Sequence, residues 1–320
     1  MFKTAIARLK RLLMPGTFRA LAEYRTETDK LLQDLRNLNQ AYNDTVADLG
    51  ALQISSALAL NAVCKSLVIH SSPESYFECE LNGAQVLLPR DTLRTMAHCI
   101  HTSVDKPLTL AVEVAHSNWL KEKLRPGDVF LDVGAATGAM TLPFAKTLPD
   151  VRIVAFEPNR TTRRILRDTL AKNNITGIEL LDFAVSDFVG TTTFIELPYD
   201  PTGAMPWWPE SSSLITESLA NYSVGEKFEA PVTTLDAFFG NRSDTSSVRS
   251  IKIDVEGFET HVLRGAANFL ATARPFIAID IHNNPFGDGT TETGVRDILS
   301  PLRFTFDKFG HVLLCSPPQA

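Results

Sequence analysis

The stretch Val129-Phe-Leu-Asp-Val-Gly-Ala-Ala-Thr-Gly138 decides the fold of this 320-residue chain. Its first five residues are an apolar, β-branched run of the length typical of a strand buried on both faces. Gly134 and Gly138 then bound a tight turn without bulky side chains, and residues 140–146 have helical spacing. Strand, glycine-rich turn and helix in this order predict a βαβ unit, in which a ligand approaches the backbone at the glycines.

A second apolar run, residues 151–156, ends in Glu157-Pro158. In Rossmann-type units an acid at the tip of the second strand accepts hydrogen bonds from ribose hydroxyls. The turn lacks the G-x-G-x-x-G spacing of a dinucleotide site, and the carboxylate of Asp132 would repel a pyrophosphate. S-adenosylmethionine has a ribose and a cationic amino-acid portion, so it fits both acids. The alternative is a structural turn in another kind of α/β protein.

Composition narrows the class of partner and the compartment. The chain is 44% hydrophobic and 21% charged, with a formal net charge of −6. This mildly acidic balance without basic clusters argues against nucleic acid as the main partner. Four scattered cysteines without C-x-x-C spacing, and no secretion signal, predict reduced thiols in a cytoplasmic protein. No apolar run is long enough for a transmembrane segment.

Residues 1–70 are predicted to form a helical N-terminal extension. Residues 1–13 form an apolar stripe flanked by basic side chains, which suits weak contact with an anionic membrane surface, a helix docked on the protein, or a frayed terminus. Residues 31–52 keep four-three apolar spacing over about three heptads. A coiled coil that joins subunits into a homo-oligomer and a helix folded back on the catalytic domain explain this spacing equally well.

The remaining residues, 71–320, alternate between strand and helix patterns. Predicted strands cover residues 129–133, 151–156, 178–182, 248–255 and 276–281, and predicted helices cover 108–124, 140–146, 161–172, 258–272 and 295–302. Asn82-Gly83 predicts a hairpin within residues 76–88, and residues 304–314 predict a second one. The section 190–225 has no regular pattern. The fold class is α/β, a doubly wound, mostly parallel Rossmann-like sheet with ligands at the C-terminal ends of its strands.

Three further stretches make the interpretation more specific. Ile251-Lys-Ile-Asp-Val-Glu-Gly-Phe-Glu259, followed by Val262-Leu-Arg-Gly-Ala266, resembles the I-K-x-D-x-E-G-x-E…V-L-x-G-A signature of the FkbM-type methyltransferases. Asp132-Val-Gly-Ala135, Phe156-Glu-Pro-Asn159 and Val232-Thr-Thr-Leu-Asp236 fit other motifs of that family, in the same order. The resemblance runs from about residue 76 to the C-terminus. It implies a class I methyltransferase fold and an S-adenosylmethionine-dependent O-methyltransferase, often one that acts on sugar hydroxyls of glycans, glycolipids or natural products.

The resemblance and the strand pattern together assign a set of cofactor-binding residues. They are Asp132, Gly134, Ala135, Gly138, Glu157, Pro158, Asp182 and Phe183. We expect Asp132 to face the ammonium group directly or through water, and Glu157 to take the ribose hydroxyls. Asp182 is placed to accept from the adenine amino group, with Phe183 against the ring. A solvent-exposed loop carboxylate is the alternative for Asp182.

The catalytic candidates are Asp254, Glu256 and His282, at the ends of two neighbouring predicted strands. The family commonly has Glu-x-His where this chain has Asp280-Ile-His282. We predict no metal and His282 as a direct general base, since a positioned base adds a factor of about 10²–10⁴ for an alcohol. The alternative is a carboxylate–histidine metal site made by the same three residues, which would suit manganese. For Glu259 the sequence favours helix capping.

Residues 198–214 contain Trp207 and Trp208 among prolines and serines, which predicts a loop. The two indoles suit stacking on sugar rings, or equally packing against the core. Two other functions stay open: an N- or C-methyltransferase on another small molecule, and a non-catalytic scaffold that keeps the cofactor fold. The sequence does not name the acceptor.

Overall fold

The structure is a computed structural model that describes residues 33, 75–96, 99–103, 106–196, 226–283 and 289–318. The chain divides into two compact units, one up to Val112 and one from Glu113 onward. The predicted domain boundary at residue 70, the predicted coiled coil, the basic N-terminal helix and the tryptophan loop lie outside the described residues, apart from residue 33. They stay predictions.

The first unit holds a four-stranded sheet with the order β2-β1-β4-β3. Its elements are β1 (Tyr76–Leu81), β2 (Ala84–Pro89), α1 (Arg90–Thr95), β3 (Ile100–Ser103) and β4 (Lys106–Leu110). The predicted hairpin is confirmed: β1 pairs with β2 in antiparallel fashion, and Asn82 and Gly83 take φ angles of 46° and 83°, as a type I′ turn requires.

The prediction of one helix over residues 108–124 is wrong in its first part. Residues 106–110 form β4, which pairs with β1 in parallel, and the helix begins only at Val114. Leu108 and Leu110 are buried and alternate with the less buried Thr109, which is the period of a strand with one inward face. Pairing with β1 satisfies the backbone hydrogen-bonding groups of this segment and favours the strand.

The second unit is built on a seven-stranded sheet with the order β13-β14-β12-β11-β5-β6-β7. Its strands are β5 (Val129–Val133), β6 (Arg152–Phe156), β7 (Glu179–Leu181), β11 (Val248–Ile253), β12 (Phe276–Asp280), β13 (Thr305–Phe309) and β14 (Val312–Ser316). Five of them run parallel, and β13 and β14 form an antiparallel hairpin on β12. The predicted mostly parallel sheet and terminal hairpin are confirmed.

A second, three-stranded sheet with the order β8-β10-β9 lies in the same unit. Its strands are β8 (Ala184–Val185), β9 (Gly190–Glu196) and β10 (Glu226–Thr233). The first residues of the section 190–225 are therefore a strand, and the prediction of an irregular section is wrong there. Antiparallel pairing with β10 fixes β9, and this pairing is too distant in sequence to be read from local pattern.

The helices of the second unit are α2 (Val114–Lys123), α3 (Thr141–Thr147), α4 (Arg160–Lys172), α5 (Leu235–Phe239), α6 (Glu259–Arg264), α7 (Ala267–Ala273) and α8 (Glu292–Leu299). Short 3₁₀ turns cover Thr245–Ser247 and Ser300–Leu302. The sheet separates two apolar clusters of buried side chains, one centred on Leu131 and Ile253 and the other on Phe130 and Phe144. All five residues of β5 are buried, which places this strand at the centre of the unit.

The predicted helix 258–272 is two helices, because the chain is fixed at Gly265. A Cβ atom at Gly265 would overlap the carbonyl oxygen of Ser186, so the backbone packs there without a side chain. The carbonyl oxygen of Gly265 accepts a hydrogen bond of 2.9 Å from the amide of Asp236. The Asp236 carboxylate in turn accepts from the amides of Asn268 and Phe269 and so caps α7. These contacts come from another part of the chain and interrupt the helical run.

Candidate active site

A cavity lies at the C-terminal ends of β5, β6 and β11, with an empty volume of about 670 Å³ that includes the open solvent at its mouth. It is lined by backbone of the glycine turn, by apolar side chains and by acids. Among the predicted residues it brings together Gly134, Glu157, Pro158, Phe183, Asp254 and Glu256. Motifs that are more than 100 positions apart in sequence therefore meet in one cavity, as expected for a doubly wound sheet.

The glycine turn has its shape for reasons internal to the protein. Gly134 has a φ of 81°, and a Cβ atom there would overlap the carbonyl oxygen of Asp254. Gly138 has a φ of 96° and packs against the side chains of Leu166 and Leu142. Close packing against neighbouring elements thus explains both glycines without a ligand. Contact of the turn, including Ala135, with the methionine portion of a cofactor stays a prediction.

Glu157, at the tip of β6, is buried and holds the glycine turn to the strand. Its Oε2 accepts a 2.6 Å hydrogen bond from the amide of Ala136, and its Oε1 accepts a 2.8 Å hydrogen bond from the amide of Asn159. Burial raises the pKa of Glu157 to about 7, against the lowering effect of those two amides. Each carboxylate oxygen has a second acceptor position, so Glu157 can also accept from a ligand hydroxyl in the cavity.

Asp132 is wholly buried in β5 and lies behind the cavity wall rather than on it. The hydroxyl of Thr141 donates to Oδ2 of Asp132 over 2.6 Å, and the ammonium of Lys252 lies 3.8 Å from Oδ1. Burial raises the pKa of Asp132 above its ordinary value. Oδ1 accepts no hydrogen bond from the described residues, so it is an orphaned buried oxygen beside the glycine turn. Contact with a cofactor ammonium stays a prediction.

The two residues predicted to contact the adenine, Phe183 and Asp182, differ in their position relative to the cavity. Phe183 follows β7 and lines the cavity. It also packs against the apolar cluster centred on Leu131 and Ile253. Asp182 precedes it, is exposed and is not among the residues that line the cavity. Its predicted contact with an adenine amino group therefore stays untested.

Lys252 is a site residue that sequence reasoning missed. It lies on β11 beside Asp132 of β5, and its side chain is buried. Its Nζ donates a 2.8 Å hydrogen bond to the carbonyl oxygen of Gly134 and lies 3.1 Å from Oδ2 of Asp254. Burial alone would lower the pKa of Lys252, but the two aspartates raise it, so the ammonium is charged. The available signal was the spacing: Lys252 stands two positions before Asp254, which puts both on one face if the strand continues.

The predicted catalytic residues converge beside the cavity. His282, just after β12, lies with its Nε2 atom 3.7 Å from Oδ1 of Asp254 and 3.7 Å from Oε2 of Glu256. Its Nδ1 atom makes a 2.8 Å hydrogen bond to Oε1 of Glu259. Glu259 is wholly buried and accepts a 3.0 Å hydrogen bond from the amide of Gly257. The expected capping role accounts for the contact with Gly257 but not for the contact with His282.

The charges of this group follow from burial and proximity. Burial raises the pKa of Glu256 to about 7, although His282 opposes the shift. Burial lowers the pKa of His282, but the hydrogen bond to Glu259 and the carboxylates of Glu256 and Asp254 outweigh it and raise the pKa to about 9. A protonated imidazole has no lone pair to accept a proton. This charge state favours Glu256 over His282 as the proton acceptor at neutral pH.

Among the described residues, the group that comes nearest to metal-binding geometry is Asp254, Asp280 and His282. One ligand atom of each lies within 4.8 Å of the others. The set differs from the trio considered from sequence, since Asp280 replaces Glu256. The ammonium of Lys252 already lies against Asp254 and neutralises part of its charge. The absence of a catalytic metal stays a prediction.

The residues present fit S-adenosylmethionine in chemistry. The carboxylates of Glu157, Asp254 and Glu256 line the cavity with acceptors suited to a cationic ligand and to ribose hydroxyls, and the orphaned oxygen of Asp132 lies behind the wall. Phe183 and neighbouring aliphatic side chains supply an apolar surface for a base.

Taken together, the parallel sheet, the glycine turn and the acids at the strand tips define a Rossmann-like fold of the class I methyltransferase type. The profile of the family described as Methyltransferase FkbM domain matches residues 132–313, more than half of the chain. The chain belongs to this family.

Curated relatives agree with the family assignment. The chain is 30% identical over 161 residues to the 31-O-demethyl-FK506 methyltransferase FkbM of Streptomyces tacrolimicus, covering 45% of this chain and 61% of that protein. It is 26% identical over 159 residues to the methyltransferase sdnD of Sordaria araneosa, covering 44% and 61%. The chain thus spans about 60% of the length of the curated relatives it matches.

Solved structures with a similar fold include the methyltransferase FkbM of Methylobacillus flagellatus KT, at 17% identity and a TM-score of 0.39, with 63% of this chain and 51% of that chain covered. Another is the precorrin-6y C5,15-methyltransferase of Geobacter metallireducens GS-15, at 13% identity and a TM-score of 0.36, with 63% and 85% covered. In the described part of the chain, no helix combines the length and the apolar character that crossing a bilayer demands.

Proposed function

We propose that this protein is an S-adenosylmethionine-dependent O-methyltransferase that acts on a hydroxyl of a sugar, glycan or glycoconjugate. The observation that carries the proposal is the single cavity that Glu157 of β6 shares with Asp254 and Glu256, which follow β11. One end of this cavity offers a ribose acceptor beside an apolar surface, and the other offers acids for an acceptor hydroxyl.

On the cofactor side, Glu157 accepts hydrogen bonds from the ribose hydroxyls while its amide contacts keep the glycine turn in place. Phe183 supports the base, and Asp132 contributes negative charge from behind the turn. When bound, S-adenosylmethionine supplies a methyl group already activated on a positively charged sulfur. The protein therefore has to orient the acceptor, exclude water and remove one proton.

On the acceptor side, Asp254 and Glu256 line the cavity, and His282 lies 3.7 Å from a carboxylate oxygen of each. A buried acid with a pKa of about 7, such as Glu256, is suited to general base work near neutral pH. Support for an oxygen acceptor comes from the Streptomyces relative, whose name denotes methylation at an oxygen. Support for a sugar comes from the family resemblance of the sequence and from Trp207 and Trp208, whose side chains suit stacking on sugar rings.

Calorimetric titration tests the cofactor assignment first. We expect the wild-type protein to bind S-adenosylmethionine and S-adenosylhomocysteine. Glu157→Ala should weaken binding roughly 10- to 100-fold, because a hydrogen bond to a charged acceptor is worth about 1.5–3 kcal/mol. Glu179→Ala is the matched control, since Glu179 is a strand glutamate that pairs with Arg242 and does not line the cavity. Wild-type affinity in Glu157→Ala would remove the assignment.

The acceptor class is tested by release of S-adenosylhomocysteine in the presence of a cell glycan extract. Turnover with the extract, and mass spectrometry that finds the new methyl group on a sugar oxygen, would support the proposal. A methyl group on nitrogen or carbon would identify the enzymatic alternative. Cofactor binding without turnover on glycan or small-molecule extracts would identify the scaffold.

A further inference from the structure

Glu259 makes a contact that helix capping does not require. It is the first residue of α6 and is wholly buried, with its Oε1 atom 3.0 Å from the amide of Gly257 and 2.8 Å from Nδ1 of His282. The contact with Gly257 belongs to the start of the helix. The contact with His282 joins α6 to the end of β12 and fixes the orientation of the imidazole ring.

Because Nδ1 is committed to Glu259, only Nε2 of His282 faces the site. It lies 3.7 Å from carboxylate oxygens of both Asp254 and Glu256, which is too long for a hydrogen bond but close for opposite charges. His282 itself is not among the residues that line the cavity, whereas Asp254 and Glu256 are. The ring therefore lies next to the two acids without being part of the cavity lining.

The backbone conformation and the exposure of Glu256 suit a side chain that acts in the cavity. Its φ angle is 52°, a left-handed conformation that is costly for a residue with a side chain and that persists only where the surroundings impose it. Its side chain is 33% exposed, so a proton on it can exchange with solvent. Neighbouring Asp254 is instead paired with the ammonium of Lys252 at 3.1 Å.

The charged groups around His282 come from each element packed against it. Glu259 faces it from α6, Asp254 and Glu256 face it from the loop after β11, and Asp280 precedes it on β12. His311, before β14, lies 3.6 Å from Asp280. The charged groups around the imidazole ring are thus mostly acids. The nearby cation, Lys252, forms its ion pairs with Asp132 and Asp254.

We propose that Glu259 is a positioning residue that holds His282 as a cation beside Asp254 and Glu256, and that Glu256, rather than His282, takes the proton of the acceptor hydroxyl. This inference rests on the proposed function and assigns roles within that same site. The O–H bond of the acceptor breaks, its electron pair stays on the acceptor oxygen, and the proton moves to a carboxylate oxygen of Glu256. Glu256 then releases the proton to water, and the protonation of His282 and Glu259 does not change.

Two substitutions of His282 distinguish a role as a fixed cation from a role as a general base. Arginine keeps a positive charge but cannot accept a proton, whereas glutamine has neither property. With labelled S-adenosylmethionine and a glycan extract as the acceptor source, His282→Arg should retain turnover within about tenfold of wild type, and His282→Gln should lose about 10²-fold. Glu256→Gln should lose about 10²–10⁴-fold. Equal losses in His282→Arg and His282→Gln, with Glu256→Gln still active, would overturn the proposal.

A second measurement needs no acceptor and covers the case in which a substituted ring misfits. In protein with isotopically labelled histidine, the His282 resonance, assigned from its loss in His282→Gln, should titrate near pH 9. In Glu259→Gln the midpoint should fall by about one unit or more, because the charged partner is gone. Glu292→Gln is the control: Glu292 also begins a helix and pairs with Arg296 and Lys308. If Glu259→Gln does not fold, Glu256→Gln should lower the same midpoint by a smaller amount.

Two results would overturn the proposal. The first is a titration midpoint of His282 near the ordinary value of 6.5 in the wild type. The second is a midpoint that does not change in Glu259→Gln or, where that variant does not fold, in Glu256→Gln. Calorimetric titration of S-adenosylmethionine into each variant keeps this result apart from the proposed function. Absence of cofactor binding in the wild type would count against the proposed function alone, since the titration of His282 reports on the Glu259 contact directly.

Discussion

The ammonium of Lys252 donates a 2.8 Å hydrogen bond to the carbonyl oxygen of Gly134, so the strand that leads to the acceptor-side acids is joined to the glycine turn. The same ammonium compensates Asp132 on β5 and Asp254, which directly follows the neighbouring strand β11. One buried cation therefore supports both halves of the candidate site.

Replacing Lys252 by methionine should destabilise the protein by about 3–5 kcal/mol, because it leaves Asp132 buried without a cation. Urea unfolding measures the change. Lys146→Met is the matched control, since Lys146 also donates to a carbonyl oxygen, that of Asn173, but is exposed. The control should change the free energy of unfolding by less than about 1 kcal/mol. Equal effects of the two substitutions would show that the ion pairs of Lys252 contribute nothing.

Gly134→Ala should cost more than about 3 kcal/mol of stability, because it adds steric overlap with the carbonyl oxygen of Asp254 to an unfavourable φ. Gly177→Ala isolates the second effect, since Gly177 has a φ of 80° and open space around it. We expect it to cost only about 1–2 kcal/mol. Chemical unfolding of both variants checks the difference, and similar losses would mean that the turn has room for a side chain.

Cofactor affinity should fall as the pH drops below about 7. Burial raises the pKa of Glu157 from 4.5 to about 7, and only the ionised carboxylate accepts hydrogen bonds at both oxygens. Titrations of S-adenosylhomocysteine at several pH values measure this dependence. In Glu157→Gln the dependence on this group should disappear. An affinity that is flat through pH 7 in the wild type would exclude an ionised Glu157 from binding.

The same shift affects stability with a defined sign. A carboxyl group whose pKa is raised on folding binds protons more tightly in the folded state, so its contribution to stability is largest at low pH. Glu157 should therefore destabilise the folded protein progressively as the pH rises from 4.5 to about 7. Unfolding experiments in which Glu157→Gln removes this part of the pH dependence check the sign.

Activity should survive a strong chelator, because we predict no catalytic metal. The measurement is turnover after dialysis against chelator, with and without added Mn²⁺. Asp280→Asn serves as a probe, since Asp280 belongs to the only described group of side chains with metal-like spacing. Loss of turnover in chelator that Mn²⁺ restores in the wild type, but not in Asp280→Asn, would establish a metal site.

Local pattern was sufficient for the parts of the fold whose residues are neighbours in sequence. The buried strand β5, the turn at Gly134 and the acid Glu157 were all predicted, since each follows from a short run with one period. The break between α6 and α7 was not, because Ser186 and Asp236 cause it from elsewhere in the chain.

The same limit applies to the site. Sequence predicted the acids that line the cavity, but it missed Lys252 and the contact between Glu259 and His282. The position of Lys252 and the contact between Glu259 and His282 depend on the order of the strands in the sheet. They also involve side chains that are buried although they are charged. Such groups look like solvent-exposed residues in a linear pattern, and only pairing across the sheet shows what compensates them.

The C-terminal hairpin has a practical consequence for handling this protein. Strand β14 shields one side of β12, and the amide of Ile281 donates a 2.9 Å hydrogen bond to the carbonyl oxygen of His311. Trimming the chain before Thr305 would uncover the apolar edge of β12, where other chains could pair and aggregate. It would also remove the contact that holds Ile281, the residue next to His282. The outermost strand, β13, carries the charged residues Asp307 and Lys308, which oppose pairing with another chain. Shortened recombinant versions should therefore keep this strand.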